Sequence, residues 1–131
     1  MQAGHEYMQA ATQDASRSRI LVVEDEYFLA DDMTRSLSGS GVDVVGPVAT
    51  VKAALDLLAE ETAVDGAVLD INLRGEMVYP VADLLLERGV PFVFSTGYDE
   101  HVVPRRYSEV RRCEKPVDPD RVTAALLQAV K

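Results

Sequence analysis

Short apolar runs along this chain alternate with stretches whose apolar residues return every three or four positions. The first run, "RILVV" from Arg19, has four apolar residues in succession, the mark of a strand covered on both faces. In "EYFLADDMTRSLSGSG" the spacing of Leu29, Met33 and Leu37 predicts a helix, which Gly39 and Gly41 stop. A second strand is read in "VDVVG". Thr50 then caps a helix in "TVKAALDLLAEE", whose Val51, Ala54, Leu55 and Leu58 form the buried stripe. "DGAVLDI" is a third strand, "NLRGEMVY" a loop, and "VADLLLER" a helix with Pro80 in its first turn and Gly89 as its stop. "PFVFST" supplies the fourth strand and "RRCEK" a weak fifth. Asp118 and Pro119 open a closing helix in "DRVTAALLQAV". Between Thr96 and Arg111, Pro104 interrupts the pattern and no apolar stripe forms, so the fourth helix is expected to be short or irregular.

Strands and helices in strict alternation predict an α/β domain, a doubly wound five-stranded parallel sheet, because parallel strands need crossovers and these are right-handed. Residues 1–18, rich in Gln, Ala and Ser, lack such periodicity and read as a flexible tail before a domain at 19–131.

Composition narrows the function classes. With 131 residues and 47% hydrophobic content, the chain can bury roughly two-thirds of its unfolded surface in one domain. A formal charge of -9 disfavours polyphosphate backbones and anionic lipids, so neither nucleic acid nor a membrane is the expected partner. The lone Cys113 excludes an internal disulfide. No apolar run is long enough for a membrane span and no signal-peptide core is evident, so a cytoplasmic location is expected.

In open parallel sheets, ligands bind beyond the carboxyl ends of the strands, where the winding reverses. There the sequence places Glu24 and Asp25 after strand one, Asp70 after strand three, Ser95, Thr96 and Gly97 after strand four, and Lys115 and Pro116 after strand five. Singly, each has an ordinary explanation: helix-start charge for the acids, turn chemistry for Asp70 and Thr96-Gly97, a solvated loop for Lys115. Yet one of only three lysines falls at a strand end, and accidents at four strand ends together are improbable. Clustered carboxylates without His or Cys make a hard oxygen site suited to Mg²⁺. A hydroxyl and an ammonium beside them can neutralise a phosphoryl group, and one carboxylate can itself be the nucleophile.

The segments "VVEDE", "VLDINL", "FVFSTG" and "EKP", in this order, resemble the receiver domain of two-component response regulators over residues 19–131. That resemblance implies a flavodoxin-like (βα)5 fold with strand order 2-1-3-4-5. It also implies roles: Asp70 as phosphoacceptor, Glu24 and Asp25 as the acidic pair that holds the metal, the backbone carbonyl of Asn72 as a further ligand, Thr96 as the switch hydroxyl and Lys115 as the phosphate-pairing lysine. Asp25 is expected to bind the metal directly, Glu24 through water, and Glu26 to serve as helix-start charge. The words "PFVFSTGYD" resemble the single-domain subfamily named for a F-A-T-G-hydrophobic-Tyr motif, with Ser95 in place of the alanine and Asp99 where the final tyrosine falls. Arg112 stands where most receivers carry the aromatic residue that reports phosphorylation, three positions before the lysine. Arg112 or Tyr98 is therefore expected to take over that reporting, Asn72 and Tyr98 to tune the lifetime of the phosphorylated state, and Arg105, Arg106, Arg111 and Arg112 to offer an acidic partner a docking patch.

The function this implies is a single-domain response regulator in a phosphorelay. Asp70, with Mg²⁺, takes a phosphoryl group from a phosphohistidine on a histidine kinase or a histidine phosphotransfer protein, and output passes through altered binding to a downstream protein. Such a signalling domain promotes its own phosphorylation and dephosphorylation and is no enzyme acting on external substrates; a monomer or weak homodimer is expected. The alternative is a receiver-like interaction module that works without phosphorylation.

Overall fold

The computed structural model describes residues 17–60, 63–97 and 103–130. Five strands form one parallel sheet: β1 (Arg19–Val23), β2 (Asp43–Val48), β3 (Gly66–Asp70), β6 (Phe92–Thr96) and β7 (Arg112–Glu114), ordered β2-β1-β3-β6-β7. Between β3 and β6 lies a two-stranded antiparallel hairpin, β4 (Asn72–Leu73) and β5 (Glu76–Met77). Four helices complete the described domain: α1 (Tyr27–Gly39), α2 (Val51–Glu60), α3 (Tyr79–Glu87) and α4 (Pro119–Val130). The tail read at residues 1–18 lies, up to residue 16, outside the described residues; Ser18 already accepts a hydrogen bond from the Asp43 amide, and Arg17 pairs with Asp43 at 2.9 Å.

Alternation along the strands divides the core into two layers. Leu21, Val23, Ala67, Leu69, Phe92 and Phe94 face α2 and α3, while Ile20, Val22, Val68 and Val93 face α1 and α4. All of these are buried, which explains why the strands read as continuous apolar runs instead of alternating ones. The helix signals act as the sequence indicates. Thr50 Oγ1 accepts from the Ala53 amide at 3.0 Å, Asp118 Oδ1 from the Asp120 amide at 3.0 Å, and Gly89, at φ +71°, lets the Val90 amide reach back to the Leu85 carbonyl.

Two details depart from the sequence reading. Strand β2 runs two residues beyond "VDVVG", because a bulge at Gly46–Pro47 moves its pairing from Leu21–Val45 to Val23–Val48 on an edge strand, where a proline is tolerated. The stretch read as the loop "NLRGEMVY" contains the β4–β5 hairpin. The fourth helix, expected to be short or irregular, is among the described residues one 3₁₀ turn, Arg105–Tyr107, which buries Tyr107 completely. That ring stacks on Tyr79, meets Phe94 edge-on, and donates its hydroxyl hydrogen to Asp83 on α3, which also receives Arg106 at 2.9 Å.

Candidate functional site

Parallel register builds the site. Val23 pairs with Leu69, so Glu24, just past the end of β1, and Asp70, the last residue of β3, stand side by side at the carboxyl edge. Asp70 in turn pairs with Ser95, and Ser95 with Cys113. Glu24 is anchored by its amide, which donates to the Val48 carbonyl at 2.9 Å, so the β2 bulge fixes the end of β1. Asp70 closes β3 and is almost wholly buried.

Glu24, Asp25 and Asp70 each offer a carboxylate oxygen, and these lie within 4.8 Å of one another. Lys115, from the loop after β7, places Nζ at 3.2 Å from Asp70 Oδ2, 3.8 Å from Glu24 Oε2 and 3.7 Å from Glu26 Oε1. The other Asp70 oxygen accepts from the Asn72 amide at 3.3 Å. The Asn72 side chain spans the hairpin, its Oδ1 accepting from the Gly75 amide at 2.6 Å. At the far side of the acids, Arg74 Nε stands 3.4 Å from Asp25 Oδ2. Thr96 is buried at the end of β6, next to Ser95.

The electrostatics follow from crowding. Burial, then the neighbouring Asp70, pushes the Glu24 carboxyl up to about 8. Burial also raises Asp70, against the pull of Lys115. Burial lowers Lys115, but the charges of Asp70, Glu24 and Glu26 outweigh it, and its net shift is upward. Two buried carboxylates side by side thus retain a proton, and a divalent cation would reverse that preference. An all-oxygen donor set with no His or Cys in it fits a hard cation such as Mg²⁺.

The residues singled out at strand ends therefore converge: Glu24, Asp25, Asp70 and Lys115 in direct reach, with Asn72 and Thr96 at the rim. Glu26, expected as helix-start charge, stands at the position just before α1, and its side chain makes no capping hydrogen bond there. Arg112 lies half-buried on β7, while Tyr98 and Asp99 fall outside the described residues. The arginine patch is divided, since Arg106 is committed to Asp83 and to the face of Tyr107, 4.6 Å from the ring centroid. Arg111 and Arg112 instead join Arg121 in a groove between β7 and α4.

Arg74 and Tyr107 were not singled out by sequence. Neither carries a clear local signal: the Arg-Gly pair is followed by Glu76 and not by an apolar residue, and Pro104 breaks the spacing between Val103 and Tyr107.

No family profile matches the chain. Among solved structures it is similar to SdrG from Sphingomonas melonis Fr1, at 37% identity and a TM-score of 0.74, covering 87% of this chain and 96% of SdrG. The response regulator PhyR from Brucella abortus is 27% identical, with a TM-score of 0.71 over 92% of this chain and 51% of that one. A response regulator receiver protein from Sinorhizobium medicae WSM419, 23% identical, shares the fold at a TM-score of 0.75, over 88% of this chain and 96% of that one. The curated Phyllosphere-induced regulator PhyR of Methylorubrum extorquens AM1 is 30% identical over 116 residues. Those residues are 86% of this chain, which spans only 43% of that relative.

Proposed function

The chain belongs to the receiver-domain family of response regulators, and we propose that it accepts a phosphoryl group on Asp70 and signals through the binding state this creates. The observation that carries this reading is the Asp70 carboxylate: buried at the end of β3, held by Lys115 on one oxygen and by the Asn72 amide on the other, with two further acids in reach. A carboxylate fixed in this way has its plane and its approach direction set before a donor arrives, which is where catalysis by positioning originates.

The proposed step is in-line attack of an Asp70 oxygen on the phosphorus of a phosphohistidine carried by a histidine kinase or phosphotransfer protein. The Asp70 oxygen–phosphorus bond forms as the phosphorus–nitrogen bond breaks, and the imidazole leaves as a neutral base after taking up a proton. Mg²⁺, held by Glu24, Asp25, Asp70 and the Asn72 carbonyl, would supply positive charge to the transferring phosphoryl oxygens. Lys115 pairs with one of those oxygens and the Thr96 hydroxyl with another. Hydrolysis of the acyl phosphate resets the domain.

The new charge of nearly two units beside Lys115 and Thr96 is the local event that a partner reads. In this reading Arg112, on the strand beside that of Thr96 and lining the same groove, relays it, with Tyr98 and Asn72 tuning the lifetime. Exposed Tyr27 and Phe28, at the start of α1, border the acids on the other side and offer the donor protein an apolar foothold.

Incubation with Mg²⁺ and acetyl phosphate, followed by intact mass measurement, tests this reading. The wild-type chain should gain one phosphoryl group and Asp70→Asn none. A wild-type chain that stays unmodified while a supplied histidine kinase is phosphorylated would favour the phosphorylation-independent module.

A further inference from the structure

The β4–β5 hairpin turns on two residues, Arg74 at φ +55° and Gly75 at φ +94°. Positive φ at both central positions is the turn that matches the twist of a two-residue hairpin, and its first position favours asparagine, aspartate or glycine. An arginine is strained there, so its presence asks for a reason outside the turn. The side chain supplies one: it extends over the carboxyl edge until Nε stands 3.4 Å from Asp25 Oδ2. The two ends of this contact differ sharply, for the Asp25 side chain is 13% exposed and that of Arg74 81% exposed.

We propose that Arg74 is a displaceable internal counter-ion, competing with Mg²⁺ for Asp25 and thereby setting the metal affinity of the site. This rests on the metal reading above. Glu24 and Asp70 already have Lys115 as a cationic neighbour, whereas Arg74 is the cation paired with Asp25 among the described residues. A single ion pair whose cation is open to solvent is weak and yields to a dication, which interacts with all three acids at once. The hairpin keeps the arginine close after displacement. Asn72 accepts from the Gly75 amide with its side chain and donates to Asp70 with its own amide, so the turn and the acids form one connected unit.

Calorimetric titration of the full chain with MgCl₂ at fixed ionic strength tests the proposal. Arg74→Asn removes the charge and puts a preferred residue in the turn, so folding is not at risk. Arg17→Ala removes an exposed positive charge at the opposite edge of the sheet, one strand length away and beyond about 10 Å of screening at ordinary salt. Arg74→Asn should bind Mg²⁺ about two- to five-fold more tightly than wild type, the range of an exposed ion pair, and Arg17→Ala should match wild type. Unchanged or weaker binding by Arg74→Asn overturns the proposal, as does an equal gain from Arg17→Ala. Failure of the wild-type chain to bind Mg²⁺ is a different result, and it overturns the metal reading together with this inference.

Discussion

The Lys115 ammonium lies 3.2 Å from the Asp70 carboxylate, across 45 residues of sequence. Even so, one lysine cannot balance the acids it touches, and Glu24 keeps a proton up to about pH 8. The stability of the metal-free protein follows from that imbalance. Between pH 4.5 and about 8 the unfolded chain has released the Glu24 proton while the folded protein holds it, so the folded state binds more protons and loses stability as pH rises. Asp70, raised in the same direction, adds to the slope. In EDTA the thermal midpoint should therefore fall from about pH 5 to about pH 9, and excess Mg²⁺ should flatten the decline by favouring the ionised acids. Glu24→Gln should remove most of the slope. A midpoint that holds level or climbs in EDTA would contradict this assignment of charge.

Tyr107 is predicted to support much of the layer between β6 and α3. Truncation to alanine removes a fully buried ring that touches Tyr79 and Phe94 and should cost about 3–5 kcal/mol in urea denaturation. Tyr107→Phe keeps the ring and loses the hydroxyl bonds to Asp83 and the Tyr79 carbonyl, for about 0.5–2 kcal/mol. If the two variants cost the same, the ring packing contributes little and the hydroxyl bonds carry the effect.

Ser95 carries the opposite expectation. Its hydroxyl is buried beside Asp70 with no hydrogen-bond partner among the described residues, a state that costs about 1–3 kcal/mol against a satisfied or absent group. Ser95→Ala should leave stability unchanged or raise it by about 1 kcal/mol, and phosphoryl acceptance from acetyl phosphate should persist. Clear destabilisation in the same urea assay would mean that the hydroxyl is satisfied in solution.

What the sequence displayed, and what it concealed, follows from how local each signal is. Thr50, Gly89 and Asp118 act on amides a few positions away, so their meaning is written beside them. The strands are buried on both faces and need only apolar runs. Strand ends located Glu24, Asp25, Asp70 and Lys115, because in a parallel sheet the carboxyl ends share one edge. The hairpin was hidden since each of its strands has two residues, too few for any period, and its turn carries arginine in place of asparagine. Tyr107 was hidden because a residue after Pro104, flanked by arginines and Ser108, has no local sign of burial; the rings that cover it come from α3 and β6. Arg74 was hidden for a related reason: its meaning lies in Asp25, whose position relative to the hairpin is set by the fold.

The row that runs from Glu24 through Asp70 and Ser95 to Cys113 also determines where the chain can tolerate a change of length. Residues added to a connecting loop leave every rung of the ladder in place. A single residue inserted between Gly66 and Leu69 turns over the side chains that follow it, sends Asp70 into the apolar layer beneath α3 and puts Leu69 where the acid had stood. The chemistry of this edge is thus encoded as much in the count of residues between Gly66 and Asp70 as in the aspartate itself.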